Sequence, residues 1–456
     1  MPTEAQSSST AVCRKACWPA QANILYPGSA AFTNATARWD AYGSPSYCAA
    51  VSPSSEEEVA SIVKASNAAN IPFLATGGRH NFGTTLQKLQ NGLAMDLSRL
   101  NSVTVDKKSS TVTISGGAKI RDVLKPVSEA GYQIPSGACN CAGYIGSGIC
   151  AGIGYLEGTF GLVIDSLVSA KLLAFGPFWA MRGAGTNFGV ITSAVYKLSQ
   201  PVNNGDVFYA DLIYGAGQKS EYFNAMQTFN DNMPSQLGFS SALFWNTTTN
   251  EVSILTTIIY VGTETEARKD LAPFFDLKPV VFAAKMISFA QVPSVVLMGV
   301  TDASFNTTEV NVRQFAAETY ASVFDKFDGF LKKYQDSRTS ALILETFSNH
   351  TALAVLDDKA AYPWRDAKGN FMLQLRWTGL DNPFSETANA FAKELRADLV
   401  ATSGYPELSA YVSYAYGDET LEQKFGRDKL PRLVKLKKKW DPENVFGYCN
   451  PLPTEL

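Results

Sequence analysis

Histidine is almost missing from this chain: only His80 and His350 occur among 456 residues, far apart in the sequence. That scarcity, with no Cys-x-x-Cys pair among the seven cysteines, leaves no recognisable zinc spacing. A Ser-His-Asp hydrolase is excluded as well, because neither histidine lies near a Gly-x-Ser-x-Gly elbow. The odd cysteine count puts at least one thiol outside any all-disulfide framework. Charge is sparse too: 18% charged residues, a net charge of −3 and a pI near 5.7 carry no nucleic-acid footprint. The one basic run, Lys435 to Lys439, reads as a solvated helix face. No apolar run reaches the length of a membrane span, since Val280 to Val300 is broken by Lys285, Gln291 and Pro293. The first forty residues lack the apolar core of a secretory signal. Four sequons, at Asn34, Asn246, Asn306 and Asn349, point weakly the other way. The balance favours a cytoplasmic location over secretion.

What is present is a core. Hydrophobic residues make up 46% of the chain, enough for two or three globular domains at this length. Residues 1 to 24 begin a Ser-, Ala- and Thr-rich lead-in without periodicity. Tyr47 to Val51 reads as a buried strand. Overlapping capping boxes at Ser54 to Glu58 then start a helix with Val59, Ile62, Val63, Ser66 and Ala69 on one face. Ile71 to Ala75 returns as a strand, giving a β-α-β unit that ends in a glycine turn. A strand at Thr111 to Ser115 and a helix from Ala118 to Ala130, capped by Gly131, follow. From about residue 205 the pattern changes to alternating strands and amphipathic helices. Strands are expected at Asp206 to Tyr214 and around the turn at Asn246 to Asn250, and helices at Val312 to Tyr334 and Ser385 to Leu399. This predicts an antiparallel sheet covered by helices. The end reads as a strand (Ala410 to Tyr416), then one helix (Leu421 to Lys439) stopped by Asp441-Pro442.

Two segments carry chemistry. The loop Thr76-Gly77-Gly78-Arg79-His80-Asn81-Phe82-Gly83 follows directly on a predicted strand. Its glycines can turn successive amides inward as a nest for a pyrophosphate. An ordinary turn would explain the glycines alone, but one of the two histidines lies in this loop. The second segment holds seven glycines between Gly143 and Gly161, among them Gly146, Gly148, Gly152 and Gly154, interleaved with Ile, Leu, Tyr and Phe. Such a run costs too much to be a regular helix or central strand. The interleaved apolar residues also separate it from a flexible linker. It suits the flat face of a large ligand.

These segments, with Arg182-Gly-Ala-Gly-Thr-Asn-Phe-Gly189-Val190-Ile-Thr192 and the tail Trp440-Asp-Pro-Glu-Asn444-Val-Phe446, occur in one order. Together they resemble the FAD-linked oxidases of the vanillyl-alcohol oxidase superfamily, most of all its fungal berberine-bridge-enzyme-like branch. The resemblance implies an α+β fold: a two-part PCMH-type FAD-binding domain (25–204, completed by 410–456) and a substrate domain (205–409). It implies FAD bonded through His80, with Cys139 as the position of a second, thioether link and Cys141 near enough to leave the choice between them open. Asp165, Gly189, Val190 and Asn444 fall where the family contacts its cofactor. Ala142 falls where a side chain gates dioxygen. Tyr414 and Tyr416, with Val412 on the same face of the expected strand, are the candidate bases for a substrate proton. A free tyrosine ionises near pH 10, so a base role needs a cationic neighbour or concerted transfer.

The chain departs from this family in two places. Cys150-Ala151-Gly152 stands where a triple glycine is usual. Leu172 to Trp179 also runs straight into the Arg182 motif, where related chains carry a hairpin of about a dozen residues. The expected activity is two-electron oxidation of a small-molecule alcohol, amine or activated C–H, with dioxygen as reoxidant. The rivals are a non-redox cyclase on the same fold and a cofactor-free binding protein derived from it. Covalent attachment predicts that yellow colour stays with the polypeptide after acid precipitation, and that intact mass exceeds the bare chain by one FAD. A folded, yellow preparation whose acid supernatant takes all the colour overturns the bond to His80.

Overall fold

The computed structural model describes residues 13–173, 176–296, 304–379 and 382–456. Three sheets organise them. The first joins β1 (Ile24–Leu25), β2 (Tyr47–Val51), β3 (Phe73–Thr76) and β4 (Gly92–Asp96) in the order β1-β2-β4-β3. Its β4 runs parallel to both β2 and β3. The helix α1 (Glu56–Ala68) makes the crossover. Ser55 caps it by accepting from the Glu58 amide, three glutamates occupy the first turn, and Val59, Ile62 and Ser66 are buried. Cys48 on β2 is joined to Cys13 in a disulfide.

The second sheet, in the order β5-β6-β8-β7, is antiparallel and comprises β5 (Val103–Asp106), β6 (Thr111–Ser115), β7 (Leu167–Leu173) and β8 (Val190–Lys197). The expected helix here spans Ile120–Glu129, and Gly131 follows it at φ +87°. The glycine-rich stretch lies between β6 and β7. Contrary to the expectation that it holds no helix, it forms short helical turns, among them α2 (Tyr144–Gly148). One turn of helix forgoes little propensity when tertiary contacts fix it. Despite the short connection, β7 keeps its ladder with β8 as far as Leu173↔Val190. Phe175 lies outside the described residues, and Phe178 is 40% exposed with the Arg182 guanidinium over its ring.

The third sheet has seven strands, all antiparallel: β9 (Asp206–Tyr214), β10 (Leu237–Asn246), β11 (Glu251–Tyr260), β12 (Val280–Ser288), β13 (Ser304–Val312), β14 (Ala341–Phe347) and β15 (Gly369–Trp377). Their order is β12-β9-β11-β10-β14-β15-β13. Alternation sends Phe208, Phe239, Leu243, Ile254, Leu344 and Phe371 into a core shared with α3 (Ala317–Lys333) and α4 (Phe384–Thr402). The predicted helix at Val312 thus starts late, because Val312 still pairs with Gly369. The opposite face carries a polar row in register: Asp211, Thr257, Ser240, Glu345, Asn370, Asn311.

Three expectations for the rest of the chain fail. Residues 410 to 416 are not a strand; Tyr414 N–H donates to the Tyr411 carbonyl in a turn. The long C-terminal helix is two, Leu421–Phe425 and α5 (Leu430–Trp440), broken at Gly426 with φ +73°. The basic run is not wholly solvated either. Lys437 is buried and donates to Asp441, Asn187 and Phe446, so it ties α5 to both the Arg182 motif and the tail. Of the sequons, Asn306 and Asn349 are buried and closed to a glycan in the folded chain, while Asn34 is exposed. No described helix is long and apolar enough to cross a membrane.

One buried ion pair joins the glycine-rich region to the third-sheet part. Arg365 grips Asp165 in a bidentate pair at 2.7 and 3.0 Å, with both side chains nearly inaccessible. Removing the arginine alone leaves a carboxylate buried without its partner. Arg365→Met is expected to lower stability by about 3–5 kcal/mol in urea unfolding. Adding Asp165→Leu should restore most of it. A single-variant loss under about 1 kcal/mol would mean that water reaches this pair.

Candidate active site

The site begins where two backbones touch. After β3 the chain enters Gly77-Gly78, and Gly78 packs so closely on Gly143 that a β-carbon there would lie 2.1 Å from the Gly143 nitrogen. Gly77 is pressed in the same way on the Gly116 carbonyl. Arg79 then takes the left-handed conformation at φ 55°, donates to the Asn34 carbonyl at 2.6 Å and lies 3.8 Å from Asp96. This bend delivers His80 beside the turn at 139–142.

His80 Nε2 lies 3.2 Å from Cys139 Sγ, which is 3.0 Å from Cys141 Sγ. The donor atoms of all three lie within 4.8 Å of one another. Sequence spacing alone did not reveal this cluster, because the fold rather than a Cys-x-x-Cys motif assembles it. Trp39 stacks on the imidazole, with centroids 4.2 Å apart and planes 16° from parallel. Either sulfur of the Cys139–Cys141 pair can donate to the other. Donation from one sulfur, with His80 alongside, holds the Cys141 thiol down at about 4.

A cavity of about 260 Å³ opens in front of this cluster. Of the expected site residues, Thr76, Gly77, Gly78, Arg79, His80, Asn81, Phe82, Cys139, Ala142, Gly143, Gly146, Gly152, Gly189, Val190 and Tyr414 line it. Cys150, which replaces a glycine of the family pattern, lines it as well. Cys141 is not among the lining residues, though its sulfur lies 3.0 Å from that of Cys139. The remaining expected residues are not among the lining residues described. Gly83 and Gly154 pack on the carbonyls of Ala415 and Ser136, and Gly148 packs on Val163. Asp165 is held by Arg365. Asn444, at φ 53°, donates its amide to Asp441 in the turn after α5. Tyr416 offers its carbonyl to Thr84, and burial with Tyr42 alongside raises its pKa. His350 is exposed at the start of a short helix (His350–Ala354).

The strand argument for Tyr414 fails with the strand, yet a turn brings Tyr414 to the cavity all the same. Its ring stacks on Phe82 and meets Tyr411 edge-on. Its hydroxyl donates to Glu345 Oε2 at 2.9 Å. The expected cationic neighbour is replaced by a carboxylate, which raises the tyrosine's pKa further above a value already lifted by burial. Glu345 is the functional candidate that sequence reasoning missed. Burial pushes its carboxyl up to about 7, less the effect of the Tyr414 hydrogen bond. Its Oε1 has no hydrogen-bond partner among the described residues. The signal was a lone acid in the mostly apolar run Ala341–Phe347.

Comparison with known proteins bears on the fold and the cofactor class. Residues 48–174 match the model of an FAD binding domain, and 410–453 match that of the berberine and berberine-like family. The chain is 42% identical over 451 residues to the FAD-linked oxidoreductase srdI of Neurospora crassa, covering 94% of this chain and 89% of that protein. It belongs to the berberine-like FAD-linked oxidoreductases. OXR1 of Pyricularia oryzae, with the same description, is 40% identical over 95% of the chain and 89% of that protein. Among solved structures, the xylooligosaccharide oxidase of Myceliophthora thermophila superposes with a TM-score of 0.81 at 17% identity, over 99% of this chain and 100% of the other. A glucooligosaccharide oxidase from Acremonium strictum, described with 6-S-cysteinyl, 8α-N1-histidyl FAD, gives 0.80 at 19%, over 98% and 99%. The fold and the FAD-binding domain are those expected from the sequence.

The residues present fit FAD: glycine backbones floor the cavity, and an imidazole and a thiol reach it from one end. Gly78→Ala tests the backbone contact. Its β-carbon forces the two loops apart, and flavin content, read from the visible-to-ultraviolet absorbance ratio, should fall at least about tenfold, the factor that about 1.4 kcal/mol produces. Unchanged flavin content would show that the contact does not position the cofactor.

Proposed function

We propose that this enzyme is an oxidase of a small-molecule alcohol, with FAD bonded through His80 and also through Cys139. Residues 25–204 and 410–456 hold the cofactor, and 205–409 form the substrate domain. Bound FAD supplies the two-electron acceptor, and dioxygen its reoxidant with release of hydrogen peroxide. The observation that carries this reading is that Tyr414, whose hydroxyl donates to Glu345, lines the same cavity as His80 and Cys139. A hydroxyl donor suits the pair better than an unactivated C–H, because the Tyr414 oxygen can accept its proton as Tyr414 passes its own to Glu345. Tyr414 is then the relay and Glu345 the base, so no tyrosinate need form. Trp39 holds the His80 ring plane, and Ala142 leaves room on the cavity wall for dioxygen.

Anaerobic mixing with substrate should bleach the flavin, and air should restore the colour with peroxide release. Turnover with an unchanged flavin spectrum would favour the non-redox cyclase. The reductive rate should fall as pH drops through about 7, because Glu345 must be ionised to accept a proton. Tyr414→Phe should lower that rate by about 10²–10⁴-fold with flavin content unchanged. The stability effect has the opposite sign. A carboxyl whose folded pKa is raised stabilises the fold below its unfolded value, and that contribution is lost as pH rises through about 7. Glu345→Gln should therefore be more stable than the parent at pH 8, by up to about 3 kcal/mol, since each tenfold change in acidity corresponds to about 1.4 kcal/mol. A reductive rate indifferent to both substitutions removes the pair from the mechanism.

A further inference from the structure

The second cysteine of the Cys139-Asn140-Cys141 turn has no part in the reaction proposed above, yet its sulfur lies 3.0 Å from the one that faces the cavity. The turn holds the two sulfurs together. Asn140 between them is tied at both ends, its carbonyl accepting from the Arg121 amide at 3.2 Å and its side chain donating to the Pro293 carbonyl at 2.6 Å. The Cys139 carbonyl accepts from Ala142 N–H and closes the turn. With Asn140 pinned outward, both thiols are left on the side of His80.

We propose that Cys139 and Cys141 form a peroxide-oxidisable dithiol, so that Cys139 either joins the flavin or closes a disulfide with Cys141. The inference rests on the reading that Cys139 is a flavin-attachment thiol. Its chemistry needs an oxidant of the peroxide class, which flavin-loaded copies of the enzyme release in the proposed oxidase reaction. A thiolate is the nucleophile toward peroxide, and the contact with Cys139, with His80 beside the pair, favours one at Cys141. That sulfur attacks the peroxide O–O bond, becomes a sulfenic acid, and one water leaves after protonation. The Cys139 sulfur then attacks the sulfenic sulfur, an S–S bond forms, and a second water departs. In sum, two thiols and one hydrogen peroxide give one disulfide and two waters. The sulfurs lose the two electrons that the peroxide gains. A disulfide across a single intervening residue closes a small ring, so it should be readily reduced. Chains made without flavin would thus hold Cys139 in a recoverable form, and a disulfide formed before loading would leave attachment to His80 alone. Once Cys139 is bonded to flavin, the closure is blocked.

The experiment uses full-length protein from riboflavin-limited cells, treated with one equivalent of hydrogen peroxide and then alkylated. Peptide mass mapping should show the Cys139–Cys141 peptide lighter by two hydrogens and unalkylated, reverting with dithiothreitol. Cys150 and Cys449, which line the same cavity, should remain alkylatable. Subsequent loading with FAD should then give chains bonded through His80 alone. The doubly bonded fraction should fall at least about tenfold and return on reduction. In Cys141→Ser, peroxide pretreatment should leave double attachment unaffected. If that variant does not fold, the wild-type peptide map still decides, since it is read without flavin. Both thiols remaining alkylatable after peroxide overturns the proposal. So does a peroxide-treated wild type that still loads two bonds. Disulfide closure in a protein that never bonds flavin would uphold the dithiol and overturn the attachment reading instead.

Discussion

The contact between Gly78 and Gly143 is the constraint on which the site depends. It brings the loop after β3 against the start of α2, two segments far apart in the chain, at a distance that no side chain could share. Once these backbones touch, His80 and Cys139 have no choice but to be neighbours, and the cavity in front of them is floored by amides. The rest of the architecture keeps that contact closed. β3 lies parallel to β4 in the first sheet, while the Gly143 segment is anchored to the second through Ala118 and Ile120, which exchange backbone hydrogen bonds with Tyr144 and Ala142. Gly77 on Gly116 and Gly117 on Leu97 add two more backbone contacts along the same seam. Five glycines, Gly77, Gly78, Gly116, Gly117 and Gly143, are therefore a packing requirement between two sheets as much as a binding motif.

This explains what could be read from the sequence and what could not. Local patterns carried far: the capped helix α1, the hairpin of β10 and β11 and the antiparallel sheet all follow from periodicity and turn residues. The glycine loops were visible because their composition is too costly for any regular element. Errors arose where tertiary context decides. Val412, Tyr414 and Tyr416 alternate like a strand, but among the described residues the segment joins no ladder and folds as a turn. Lys437 looks solvated by composition, yet two backbone carbonyls and Asp441 enclose it. Glu345 was missed because one acid in an apolar strand means nothing until the strand is placed in its sheet.

The same placement accounts for why a costly carboxylate is held where it is. β14 is an interior strand of seven, paired on both sides by β10 and β15, so its register cannot slip without turning Ile343, Glu345 and Phe347 into the helix-covered core. Glu345 thereby sits in a polar row between Ser240 and Asn370, on the face turned towards the tyrosines, with one carboxyl oxygen on Tyr414 and the other without a partner among the described residues. An arginine beside it would have stabilised the ionised form and lowered its pKa. That would also have removed its capacity to take up a proton near neutral pH. The two buried acids are thus treated differently: Asp165 is paired with Arg365 where it joins the two parts of the fold, and Glu345 is left with one oxygen free of any partner among the described residues.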